Sequence, residues 1–118
     1  IYNITLRRGK PKSKRAFVIS EFGGYSLKIK DRLWNPKKNF GYKFNKSSIE
    51  LTQAYINLLE NELMPLIPQG LTAAIYTQIT DVEMEINGFL TYDREVEKFT
   101  KSEIVPVHEN LTKKCILS

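Results

Sequence analysis

Glu21 closes the apolar run Ala16-Phe17-Val18-Ile19-Ser20 and is followed at once by Phe22-Gly23-Gly24, so a carboxylate stands where a strand opens into a loop. Polar residues at the carboxyl ends of strands are where α/β barrels build their active sites. Taken alone, an exposed carboxylate at a strand end accounts for Glu21 equally well. A second concentration of carboxylates, Asp81, Glu83, Glu85, Asp93, Glu95 and Glu97 against the single Arg94, offers acceptors for hydroxyl groups or oxygen ligands for a divalent cation. The stretch from Asp81 to Gly88 lacks the acid spacing, the glycine and the distant glutamate of a calcium-binding loop. His108 is the one histidine, and with Glu109 and Asn110 beside it the sequence points to a surface residue and not to a zinc ligand.

These residues need elements to position them. The β-branched and aromatic run ending at Glu21 predicts a strand buried on both faces, and the two glycines after it permit a tight exit. From Gly24 to Asn45 the chain lacks helical periodicity and carries Tyr25, Trp34, Phe40, Tyr42 and Phe44 among lysines, which predicts a long loop. Ser47-Ser48-Ile49-Glu50 has the form of a capping box, and Leu51, Ala54, Tyr55, Leu58, Leu59, Leu63 and Leu66 then recur on one face of a helix. Pro65 and Pro68 should kink or end that helix, and Gly70 supplies a left-handed stop. Leu71 to Gln78 reads as a second buried strand, Phe89 to Tyr92 as a short extension, and Ser102 to about Ile116 as a final helix that Pro106 must start or bend.

Ile19-Ser20-Glu21-Phe22-Gly23-Gly24-Tyr25, the Leu71-to-Gln78 run, Asp81-Val82-Glu83 and Asn87-Gly88-Phe89-Leu90-Thr91-Tyr92-Asp93-Arg94 follow one another in an order that resembles the carboxyl-terminal quarter of the catalytic barrel of glycoside hydrolase family 2. The resemblance runs from about Ala16 to about Val96. It implies an α/β fold, a partial (β/α)8 TIM barrel comprising the last two βα units with parallel strands. It further implies a retaining β-glycosidase of the β-galactosidase, β-glucuronidase and β-mannosidase kind, with Glu21 as nucleophile. Such an enzyme needs two carboxyl groups about 5–5.5 Å apart. The family's acid/base, a glutamate after an asparagine at the end of the fourth strand, is expected to be absent from this chain, which is then inactive alone. Many members place a tryptophan near the end of the eighth strand, where this sequence has Tyr76-Thr77-Gln78. The resemblance makes Gln78 and Asp81 candidates for sugar-hydroxyl contacts, and Trp34 a flat apolar face for a sugar ring.

With 118 residues the chain fits one domain, residues 1–118, and holds fewer than half the units of a barrel that takes about 250 residues. Of its 18 basic residues against 13 acidic, six lie in the acid-free run from Arg7 to Arg15, and the remainder is close to neutral. That run has Gly9, Pro11 and Ser13 inside it and no interleaved aromatic, so a solvated loop outweighs a nucleic-acid patch, which would lose affinity steeply with salt. One cysteine, Cys115, excludes an internal disulfide framework and predicts a reducing, cytoplasmic compartment. No apolar run approaches the length of a membrane span, and no cofactor is expected. The expected partner is a carbohydrate substrate, with self-association through open barrel edges as a further route. The alternative function is a non-catalytic carbohydrate-binding or assembly module.

Overall fold

The computed structural model describes residues 15–117, so the basic run up to Lys14 lies outside the described residues. Strand β1 (Phe17–Gly23) pairs in parallel with β4 (Leu71–Thr77), and two short strands, β2 (Ser26–Leu27) and β3 (Phe44–Asn45), pair in parallel within the loop that follows β1. Helix α1 (Ser48–Leu58) lies between β3 and β4 in sequence, and α2 (Lys101–Leu117) closes the described chain. The order is therefore strand, loop, helix, strand, loop, helix, a mixed α/β arrangement with small parallel sheets.

The start of α1 follows from its cap. Ser47 is extended and its hydroxyl accepts from Glu50 N at 3.1 Å, while the Glu50 carboxylate accepts from Lys46 N at 2.8 Å. The return bond goes to the residue before the cap, where a capping box would use the cap's own amide. At its far end the helix loosens into a π-helical turn, Leu59–Leu63, and a 3-10 segment, Met64–Gln69. Pro65 and Pro68 cannot donate to the preceding turn, which explains the change of hydrogen-bond pattern. Gly70, at φ 102°, ends it as predicted, with its amide donating to the Ile67 carbonyl at 3.0 Å.

The buried face of α1 holds Leu51, Tyr55 and Leu58, continued by Leu59, Leu63, Met64 and Ile67. Thr52 is buried too, its hydroxyl accepting from Thr100 N at 2.9 Å and tying the helix to the start of α2. Around Tyr55 the rings of Tyr76, Phe89, Phe99 and His108 meet it edge-on at 4.9–5.7 Å between centroids. Each such pair contributes about 0.5–1.5 kcal/mol beyond its buried area. His108 is exposed, as the sequence indicated, and its ring also packs on Tyr55, with Nε2 2.8 Å from the Tyr55 hydroxyl. Pro106 lies in the second turn of α2, past the first-turn positions where its missing amide costs nothing.

The expectation of two strands buried on both faces is corrected. Val18, Ser20 and Glu21 on β1, and Thr72, Ala73 and Ile75 on β4, are exposed. The reason is that the described residues place helix and loop against one face of the pair and nothing against the other. The aromatics of the long loop divide similarly: Tyr25 is in the core, whereas Trp34, Phe40 and Phe44 are exposed. Among the described residues, no helix is long and apolar enough to cross a membrane.

Candidate active site

The register of β1 against β4 shifts at two places, and the second lies at Glu21. Ile19 is opposite Ala74 and Phe22 is opposite Tyr76, so two residues of β1, Ser20 and Glu21, face the single Ile75. This is the count of a β-bulge, a device that re-aims a side chain. It breaks the inward and outward alternation, leaving Ser20 and Glu21 both exposed before Phe22 returns to the core. Glu21 is thereby presented two residues before the strand ends, and Thr77 Oγ1 donates to its Oε1 at 3.3 Å from the end of β4.

The exit beyond Glu21 is shaped by two glycines. Gly23 (φ 88°) and Gly24 (φ 75°) are both in the left-handed region, where a side chain is strained. A Cβ on Gly23 would collide with Tyr76 Cε2, and one on Gly24 would lie 2.7 Å from Tyr42 Cδ2. Gly24 N donates to the Thr77 carbonyl at 2.9 Å, so the ends of the two strands stay joined past the last pleat. Glu21, Phe22, Gly23, Gly24, Tyr42 and Thr77 line a shallow depression at this end of the sheet. Tyr42 and Thr77 are the site residues that sequence reading passed over; Tyr42 was one aromatic among several in a loop, and only the pairing of β1 with β4 brings Thr77 to Glu21, 56 residues away in sequence.

Gln78 follows directly, after a cis Thr77-Gln78 peptide. Its Nε2 donates to Asn87 Oδ1 at 2.7 Å and its backbone amide to the Asn87 carbonyl at 3.3 Å, while its own carbonyl accepts from Phe89 N at 3.0 Å. Gln78 is half-buried and adjoins the Glu21–Thr77 contact in sequence. Asp81 is different: it is 5% exposed, and its Oδ1 accepts from Lys98 Nζ at 2.6 Å and from Gly88 N at 2.8 Å. Burial pushes the Asp81 carboxyl up and the Lys98 ammonium down, while their ion pair opposes both shifts. Trp34 is 62% exposed, edge-on to Tyr92 at 5.6 Å, in a loop held to the acidic segment by the Arg32–Asp93 ion pair at 2.8 Å.

The structure thus brings Glu21 and Thr77 into contact with Gln78 next in sequence, engages Asp81 internally, and places Trp34 on the outer loop. The second carboxylate of a retaining pair is not among the residues lining the Glu21 depression. The sequence carries one Asn-Glu dipeptide, Asn61-Glu62. It lies in the π-helical turn, not at a strand end, and so does not take the acid/base position. No three His, Cys, Asp or Glu side chains among the described residues converge on a cation site. Neither a protein-family model nor a curated protein matches the chain.

Proposed function

We infer that this chain is a segment of a retaining β-glycosidase in which Glu21 is the nucleophile, its β1–α1–β4 unit being part of a (β/α)8 barrel. The observation that carries the reading is the bulge at Ser20-Glu21, which turns a carboxylate outward at the carboxyl end of a parallel strand, beside Thr77. In the reaction a Glu21 carboxylate oxygen bonds to the anomeric carbon as the glycosidic carbon–oxygen bond breaks, and a second carboxyl group protonates the departing oxygen. Water then cleaves the glycosyl ester, activated by that same second group. The second carboxyl group comes from elsewhere in the barrel, and the chain alone is inactive on this reading. A cytoplasmic setting and a carbohydrate substrate belong to the same proposal.

Replacing Glu21 by Gln in the assembled enzyme tests it. The amide keeps the shape but cannot form a glycosyl ester, so turnover should fall by roughly a thousandfold or more while sugar binding persists. Undiminished turnover would remove Glu21 from the role. The absence of a second carboxylate from the depression favours one other reading, a carbohydrate-binding or assembly module without catalysis.

A further inference from the structure

Lys98 is wholly buried, and its ammonium makes two directional contacts, to Asp81 Oδ1 at 2.6 Å and to the Ile86 carbonyl at 3.0 Å. Asp81 Oδ1 also takes the Gly88 amide, and the Ile86 carbonyl also takes Leu27 N at 3.3 Å. The segment from Asp81 to Gly88 is therefore gripped at both ends and tied to the loop after β1. Gly88 allows the grip because a Cβ there would collide with the backbone of Thr80 and Asp81. Between these fixed points sits Asn87, fully buried, whose side chain and carbonyl hold Gln78.

A buried ion pair is a poor way to gain stability, since desolvation of both charges offsets their attraction and apolar residues of similar volume often do as well. What it adds is direction. We propose that Lys98 is a positioning residue of the glycosidase site: by fixing the Asp81-to-Gly88 turn it makes Asn87 hold the Gln78 carboxamide at the end of β4, next to the Glu21–Thr77 contact, for a substrate hydroxyl. The proposal rests on the reading of Glu21 given above. Asn87 Oδ1 and Glu85 Oε2 both accept from Gln78 Nε2, at 2.7 and 3.4 Å, and the proposal assigns the remaining Oε1 to a sugar hydroxyl as its acceptor.

The test compares the assembled enzyme with its Lys98→Met/Asp81→Leu double variant, using 4-nitrophenyl β-galactoside, β-glucuronide and β-mannoside. Apolar replacement of both charges removes their mutual desolvation cost but leaves the buried Gly88 amide without its acceptor, so thermal stability should fall modestly while kcat/KM falls about tenfold. Gln78→Ala should lower kcat/KM about tenfold in the parent but less than about twofold in the double variant, because the contact is already lost there. Should the double variant not fold, Asn87→Ala breaks the same chain one step nearer Gln78 and carries the same expected coupling. Parent-like kcat/KM in either variant, or a Gln78→Ala effect that adds in full, would overturn the positioning role while leaving Glu21 untouched. If the parent enzyme hydrolyses none of the three and takes no label from a 2-fluoro glycoside, the reading of Glu21 itself falls and this proposal with it.

Discussion

Thr77 Oγ1 reaches Glu21 Oε1 at 3.3 Å across 56 residues of sequence, joining the ends of two parallel strands. The contact exists because the β1 bulge turns Glu21 outward and the parallel register sets Thr77 opposite Gly23, past the bulge. A hydroxyl donor at a carboxylate fixes which oxygen is free to react. On the proposed function this biases which Glu21 oxygen attacks the anomeric carbon, and it makes Thr77 the first residue to alter after Glu21.

Thr77→Val keeps the β-branched shape and removes the donor. Hydrogen bonds to charged groups contribute about 1.5–3 kcal/mol, and a long, solvent-exposed one falls at or below the lower end of that range. In the assembled enzyme, kcat should drop about threefold to tenfold with little change in unfolding midpoint. Steady-state kinetics with an aryl β-glycoside, alongside a thermal melt, checks both; an unaltered kcat would detach Thr77 from the chemistry.

Gly23 and Gly70 make a controlled comparison of backbone and packing terms. Both have positive φ, but a Cβ on Gly23 runs into the Tyr76 ring whereas one on Gly70 meets nothing within 4 Å. Gly70→Ala should therefore cost only the left-handed backbone term of about 1–2 kcal/mol. Gly23→Ala should add an overpacking cost of about 1–3 kcal/mol. Urea unfolding of the two variants measures the difference directly, and equal losses would show that Tyr76 moves aside freely.

Much of this was legible from residue order. The capping serine, the proline pair and Gly70 bound the first helix, and the two apolar runs mark β1 and β4, because each is a local signal. The bulge was not legible, since Ser20-Glu21 looks like ordinary strand until the partner register counts one residue against two. Lys98 was invisible for a related reason: in Glu95-Val96-Glu97-Lys98 it reads as one more surface charge, and only closure of the loop on itself buries it against Asp81. The exposed outer face of the sheet contradicts the doubly buried strands that composition alone predicts, because burial depends on neighbouring elements and not on the strand's own residues.

The Arg32–Asp93 pair supplies a pH test of the loop that carries Trp34. Hydrogen bonds from Thr91 and then Arg32 hold the Asp93 carboxyl down to about 2 from its ordinary 3.8. A carboxyl lowered on folding contributes stability that is complete above its unfolded value and is lost as pH falls through its folded one. The pair should therefore stay intact from neutral pH to about pH 4 and open only as the pH approaches about 2. Carbon-detected NMR titration of the Asp93 carboxyl follows this, and a midpoint near 3.8 would mean that the loop is not latched in solution.

The central claim, that Glu21 forms the glycosyl ester, is tested most directly by intact mass and peptide mapping after exposure to a 2-fluoro β-glycoside. The assembled enzyme should carry one sugar on the peptide containing Glu21, the Glu21→Gln enzyme none, and the 118-residue chain alone none. An active enzyme labelled on another carboxylate, or not labelled at all, would contradict the account and leave Glu21 as an outward-facing carboxylate in a strand bulge.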